Sequence, residues 1–359
     1  FYQPSQITDL PTFITIEKCI FSDVCGNNCR LDVKSEQSTI SINDCKFKFT
    51  STQSTSPSIC ASISTTGYVA LTNNYVEGTI SFINASELKT TPKIQNNYFK
   101  SIKSLQSYFF EIKHIIDFIN ISNNIFDSFS ESESYESAIP ILISRQDKQG
   151  FTLVFEDCTI NSSYSNNTKG MLYIEDNELL KNVEVMFERC KFDKNTSPNG
   201  YGVLYISNTG DLTLNGCSFS NNSAKISSSI FYKPFNVSKT ANIIKCTFNE
   251  LASFEESYSI QIKTGHSRID SCKFTLVQEN TKTGIIDLGD YSFEILNCQF
   301  ANAYATGAIR FTQSSYEKPI YVTNCIFDNC KGDNYRCFYL SIFHTSGLTF
   351  QNNIIQNMK

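Results

Sequence analysis

No tryptophan occurs among the 359 residues, and histidine occurs only three times, at His114, His266 and His344. A triad or a histidine-rich metal centre would have to be assembled from those three. No Ser/Cys–His–Asp set can be put together from them. Charged residues make up 18% of the chain, and no run of Lys or Arg stands out. With a net charge of −5 the chain lacks the basic stripe of a nucleic-acid binder. No stretch approaches the ~20 consecutive apolar residues of a membrane helix. There is no initiator methionine and no signal peptide at Phe1, so the N-terminus reads as processed or as internal to a longer chain. Glycine, at 15 residues, and proline, at 8, are too sparse for a collagen-like or linker-like chain.

What is present is repetition. A phrase of the form apolar-x-apolar-x-x-Cys/Asn-x-Phe recurs, as in Leu212–Phe219 (LTLNGCSF), Phe293–Phe300 (FEILNCQF) and Ile320–Phe327 (IYVTNCIF). Thirteen copies can be anchored, at Cys19, Cys45, Asn74, Asn97, Asn124, Cys158, Cys190, Cys217, Cys246, Cys272, Cys298, Cys325 and Asn353, spaced 23 to 34 residues apart. Alternation of period two makes each half of the phrase a strand. The inward pair is even-numbered before the anchor (Leu212, Leu214) and odd-numbered from it (Cys217, Phe219). One inserted residue has therefore flipped the phase, and both pairs face inward only if the chain bends there. The residue before the anchor is Asn, Asp or Gly in nine of thirteen copies, the types that tolerate left-handed backbone angles. A second phrase, Gly-x-apolar-x-apolar, follows most anchors, as at Gly170–Ile174, Gly202–Ile206, Gly284–Leu288 and Gly307–Phe311.

Three short strands and three turns in about 27 residues make one coil of a parallel β-helix. The expected fold is all-β: a single-stranded right-handed parallel β-helix of about thirteen rungs, roughly 60 Å long at ~4.8 Å per rung. A lead-in segment is expected over 1–12 and the helix over 13–359. The position two after the anchor is Phe in ten rungs, the exceptions being Val76, Ile160 and Ile355, and should form an aromatic ladder. The anchors should form a ladder of Cys and Asn, with Asn bonding to the rungs on either side.

The phrases Phe192-Asp-Lys-Asn195 and Phe219-Ser-Asn-Asn222, with Gly202-Val-Leu and Gly307-Ala-Ile, resemble the Phe-x-x-Asn and Gly-Gly-Ala-Ile motifs of bacterial polymorphic outer-membrane proteins. The Cys before Phe resembles the β-helix surface repeats of ciliates and other protists. The resemblance spans about 13–359. It implies the pectin-lyase-like fold, an extracellular or cell-surface location, and often adhesion, but it carries no particular chemistry.

Candidate sites are few. Nine of the fourteen cysteines are anchors and read as buried thiols. The five others, Cys25, Cys29, Cys60, Cys330 and Cys337, are disulfide candidates in an oxidising compartment, with Cys25/Cys29 and Cys330/Cys337 near the two ends. Cys25-x-x-x-Cys29 has half a zinc spacing without a second pair, so no metal and no cofactor is expected. Polysaccharide-cleaving β-helices need outward carboxylates on adjacent rungs. Glu156 above Glu188 is one such pair. Arg268 beside Asp270, with Glu294 one rung on and His266 close by, is the best catalytic candidate, against the plainer reading of a solvated charge pair. Sequons at Asn84, Asn120, Asn161, Asn166, Asn195, Asn221 and Asn236 are glycosylation candidates, no more numerous than composition predicts. Tyr173 and Tyr205 are expected to point outward on successive rungs and could stack on sugars. Two oversized coils, carrying Ser130–Glu136 and Glu175–Glu178, could build a binding feature. With rung-like sequence to the last residue and no capping helix, the partners expected are further coils of a longer chain or a second copy stacked end to end, with glycans possible.

Overall fold

The computed structural model describes residues 13–22, 31–35, 39–48, 61–65, 67–77, 82–85, 91–100, 110–113, 118–129, 139–144, 150–166, 168–176, 183–250, 257–263, 265–276, 283–289, 292–303, 307–313, 319–330, 337–342 and 347–357. Every regular element among them is a strand. The strands wind into a parallel β-solenoid with three faces. The first face is a thirteen-stranded sheet built from the half-phrase before each anchor, from Phe13–Glu17 to Leu348–Gln351. The second is a thirteen-stranded sheet built from the half-phrase after it, from Ile20–Ser22 to Ile354–Gln356. The third holds the Gly-x-apolar-x-apolar strands: ten run from Phe82–Ala85 to Phe338–Ile342, and a separate pair joins Leu31–Ser35 to Ala61–Thr65.

The inserted residue is the corner. All thirteen residues before the anchors lie in the left-handed region, at φ 52–64°. Nine are Asn, Asp or Gly. The other four, Lys18, Arg189, Lys245 and Ser271, adopt the same angles at φ 52–56°. A side chain with a Cβ costs about 1–2 kcal/mol there, a cost offset by register: the corner N–H donates to the next coil, as in Lys245 N to the Asp270 carbonyl (2.9 Å) and Arg189 N to the Asn215 carbonyl (2.8 Å).

Register puts like over like. The Phe column runs Phe21, Phe47, Val76, Phe99, Phe126, Ile160, Phe192, Phe219, Phe248, Phe274, Phe300, Phe327, Ile355. From Phe192 to Phe327 six rings stack without a break, with centroids 4.5–4.9 Å apart and planes within 12° of parallel. Each such pair contributes about 0.5–1.5 kcal/mol beyond the area it buries. Where Ile160 replaces the ring, a gap too narrow for water remains between Phe126, Ile139, Ile141, Phe155, Ile160 and Leu172.

Candidate functional site

The anchors are the most regular polar feature of the interior. Asn74, Asn97 and Asn124 are at most 4% exposed. Each Oδ1 accepts the backbone N–H of the anchor before it, as in Cys45 N to Asn74 (3.0 Å) and Asn74 N to Asn97 (3.0 Å). Each Nδ2 donates to a carbonyl of the preceding coil: Asn74 to Ile42, Asn97 to Leu71 and Asn124 to Ile94, all at 2.9 Å. The cysteine anchors use the thiol in the same donor role: Cys190 Sγ lies 3.3 Å from the Phe155 carbonyl and Cys217 Sγ 3.3 Å from that of Phe187. A ladder that satisfies buried backbone groups in this way is structural. Seven of these thiols follow one another from Cys158 to Cys325 with their sulfurs enclosed, and all are free.

A second inward ladder was not legible beforehand. Four residues after the anchor the backbone turns left-handed again at Ser128, Ser162, Lys194, Asn221, Asn302, Asn329 and Asn357 (φ 51–60°). The next residue is thereby aimed into the core: Phe129, Ser163, Asn195, Asn222, Ala303 and Cys330 are all buried. Asn195 is 1% exposed; its Nδ2 donates to the Ile160 carbonyl (3.1 Å) and to Asn222 Oδ1 (2.9 Å). An Asn195 enclosed in this way is not open to a glycan in the folded chain, unlike the candidate expected from its sequon. The Asn of Phe-x-x-Asn is an interior ladder residue, turned inward by the corner at Lys194. One coil further, Glu250 supplies the acceptor in place of an Asn. It is fully buried, takes the N–H of Asn222 on Oε2 (3.1 Å) and the Ser229 hydroxyl on Oε1. Burial drives its pKa up to about 8, against the opposing pull of the Asn222 hydrogen bonds.

The other sequons divide. Asn166 and Asn236 are exposed. Asn236 Oδ1 accepts from Ser238 N (3.0 Å) and Asn166 Oδ1 from Asn199 (2.6 Å). Asn161, at the end of the strand Thr159–Asn161, and Asn221, at a corner, are half-buried and donate to Asp127 (3.4 Å) and Asp193 (3.0 Å). Asn120 is half-buried on a strand, donating to Glu156 (3.3 Å). Asn84 lies on the strand Phe82–Ala85, and its side chain is outside the described residues, as are Cys25, Cys29, Cys60, His114, His344 and the insert segments 130–136 and 177–178.

The acidic clusters sit on the outer face of the first sheet. Glu156 and Glu188 are register partners, as expected, and Arg189 bridges them: its Nη2 is 2.5 Å from Glu156 and 2.9 Å from Asp157, its Nη1 3.8 Å from Glu188. The Arg189 hydrogen bonds hold Asp157 below the usual carboxylate range. Arg268 likewise sits between Asp270 (3.1 Å) and its register partner Glu294 (3.7 Å). His266 shares a 2.6 Å hydrogen bond with its register partner Ser292. Burial pushes Asp270 up, but hydrogen bonds from Asn297, Ser271 and Arg268 outweigh it and leave the carboxyl low. A glycosidase needs one carboxyl held protonated near neutral pH. Of the described carboxyls with a resolved shift, the one that moves up is Glu250, and it faces the core. Tyr173 and Tyr205 stand on the outer face of the third sheet, but Tyr173 is only 4% exposed. Lys169 lies over its ring (4.2 Å) and bonds its hydroxyl (2.9 Å), so Tyr173 is closed to a sugar, contrary to expectation.

Among the described residues no three His, Cys, Asp or Glu side chains converge as a metal site, and no helix is long and apolar enough to cross a membrane. No protein-family model, no curated protein and no solved structure matches the chain. What the residues define is a class of architecture, the parallel β-solenoid repeat protein. The likeness to outer-membrane and protist surface repeats rests on the short phrases alone.

Proposed function

We propose that this chain is a structural or adhesive rod element of an extracellular or cell-surface assembly, extended by pairing further β-coils onto its outermost ones. The observation that carries this reading is the character of those outermost coils. Leu348, Phe350 and Ile355 are 42–47% exposed, although their register partners Ile320, Val322 and Phe327 are buried in the inward columns, and at the other edge Ile14, Ile16, Cys19 and Phe21 are only partly buried. A strand edge with apolar side chains in ladder register is a template for another coil. Whether that coil comes from a second copy, a heterologous contact that generates filaments, or from the same chain is decided by experiment. Electron microscopy and sedimentation of the purified protein across a concentration series test it. Filaments with a ~60 Å axial repeat support stacking of copies; separate rods at all concentrations overturn stacking. Glycosylation at exposed sequons such as Asn166 and Asn236 fits a secreted rod.

The second reading is a polysaccharide-active or glycan-binding protein using the Arg268, Asp270 and Glu294 face, favoured only by the placement of two carboxylates on adjacent coils around one guanidinium. Loss of polysaccharide cleavage or binding in an Asp270→Ala, Glu294→Ala double variant would support it, and unchanged behaviour would remove it.

A further inference from the structure

The outward column of the third sheet becomes polar beyond its aromatic stretch. By register it runs Phe231, Gln261, Asp287, Arg310, Tyr339. A glutamine and an aspartate on the outer face of a sheet ordinarily stand in water. Here Gln261 is 5% and Asp287 9% exposed. The pair is hydrogen-bonded but poorly satisfied. Gln261 Nε2 donates to Asp287 Oδ2 (2.7 Å), and this fixes the amide, because the reverse orientation would set two oxygens against each other. Gln261 Oε1 is thereby left enclosed with no hydrogen-bond partner. Asp287 has that one direct hydrogen bond among the described residues. Lys263 Nζ stands 3.7 Å from Oδ2 and Arg310 Nε 3.8 Å from Oδ1, both too far for a direct bond. Arg310 is tied instead to Tyr258, whose hydroxyl accepts from Nη1 (2.8 Å). Enclosed acceptors short of donors are costly and uncommon.

Whatever satisfies these oxygens must bring donors. A metal cation is opposed by Lys263 and Arg310, which flank the carboxylate. A simple anion brings no donor to Gln261 Oε1. A hydroxylated ligand brings donors without charge. Tyr339, next in the column after Arg310 and 40% exposed, offers a ring face on which the apolar side of a sugar can lie. Tyr339 and Asp287 are two coils apart, roughly 10 Å, so a ligand touching both is longer than one sugar ring.

We infer that Gln261, Asp287, Arg310 and Tyr339 form an oligosaccharide-binding site on the third-sheet face. Hydroxyls of one sugar donate to Gln261 Oε1 and Asp287 Oδ1. The half-exposed Lys263 and Arg310 side chains swing aside to admit it and donate to its oxygens. A neighbouring sugar stacks on Tyr339, so the bound chain runs along the rod axis. This face is distinct from the first-sheet cluster of Arg268, Asp270 and Glu294, and the site is independent of whether coils stack end to end.

The test is isothermal titration calorimetry of the purified chain with oligosaccharides of glucose, mannose, galactose, N-acetylglucosamine and galacturonic acid. At least one should bind. Asp287→Asn keeps the shape of the side chain and removes its charge, and should weaken that binding at least about tenfold. Tyr339→Ala alters an exposed side chain and leaves the enclosed pair intact, so it should fold, and it should weaken the same binding about two- to tenfold. It keeps the proposal open to refutation if Asp287→Asn does not fold. Absence of binding by every member of the panel overturns the site. So does binding that survives both variants. Binding lost in the Asp270→Ala, Glu294→Ala double variant and kept in Asp287→Asn and Tyr339→Ala puts the sugar on the first sheet and overturns the site as well.

Discussion

Replacing Glu250 by glutamine should make the protein more stable at alkaline pH and leave it nearly unchanged in acid. The carboxyl is enclosed between Asn222 and Ser229, and its pKa is raised from 4.5 to about 8. A group whose pKa is higher in the fold than in the unfolded chain favours folding while protonated. That contribution is complete below about pH 4.5 and is lost as pH rises through about 8. At 1.36 kcal/mol per pH unit the loss across that window is about 5 kcal/mol, a large part of an ordinary folding free energy. Glutamine keeps an oxygen for the Asn222 N–H and offers its amide to a rotated Ser229 hydroxyl, without a charge to bury. Urea unfolding of the natural protein and Glu250→Gln at pH 5, 7 and 9 isolates the effect, because every other titrating group cancels in the difference. The variant should gain several kcal/mol at pH 9 relative to pH 5. A difference that is constant with pH would show that Glu250 ionises in the fold as readily as in the unfolded chain, and the reasoning from its enclosure would fail.

Other outcomes follow from the ladders. Asn97→Ala removes the bond to the Leu71 carbonyl and the acceptor for Asn74 N, and should cost about 3–5 kcal/mol in chemical denaturation. Ile160→Ala, which opens a cavity among Phe126, Phe155 and Leu172, should lose about 2–5 kcal/mol by the same assay. Lys245→Asn, at an exposed corner with φ 53°, should gain about 0.5–1 kcal/mol in thermal melts. In protein folded after passage through a glycosylating secretory pathway, peptide mapping should find glycan at Asn236 or Asn166 and none at Asn195, because a glycan at that enclosed side chain is incompatible with the closed corner.

The first corner was readable because its signal has two parts, a phase flip between the pairs Leu212/Leu214 and Cys217/Phe219, and Asn, Asp or Gly at most flipping positions. Lys18, Arg189, Lys245 and Ser271 carry no such residue preference. They turn left-handed because the coils on either side dictate it. The second corner defeated residue-type reasoning for a related cause. Asn fills four of its seven described positions, but Ser128, Ser162 and Lys194 break the pattern, so the inward aim of Asn195 and Asn222 shows only once the strands are in register. The candidate site was half legible: alternation placed Arg268, Asp270 and Glu294 on one face and paired Glu156 with Glu188, and the structure keeps both groupings. Side-chain direction beyond the alternation was not legible. Arg189 closes over its carboxylates and His266 bonds Ser292 through contacts between different coils, and Lys169 covers Tyr173 within one coil.

The paired corners also determine how the molecule would answer a pulling force. Every coil is held to the next by the same short set of backbone bonds, with no element that ties distant coils together among the described residues. Tension applied at the two ends therefore loads an end coil first, and that coil can peel away while the rest stays wound, since repeat arrays are coupled only to their neighbours. Each coil of about 27 residues would release roughly 90 Å of extended chain, so stretching should appear as a staircase of nearly equal steps. A thread that lengthens by such increments absorbs work over a long extension before it parts.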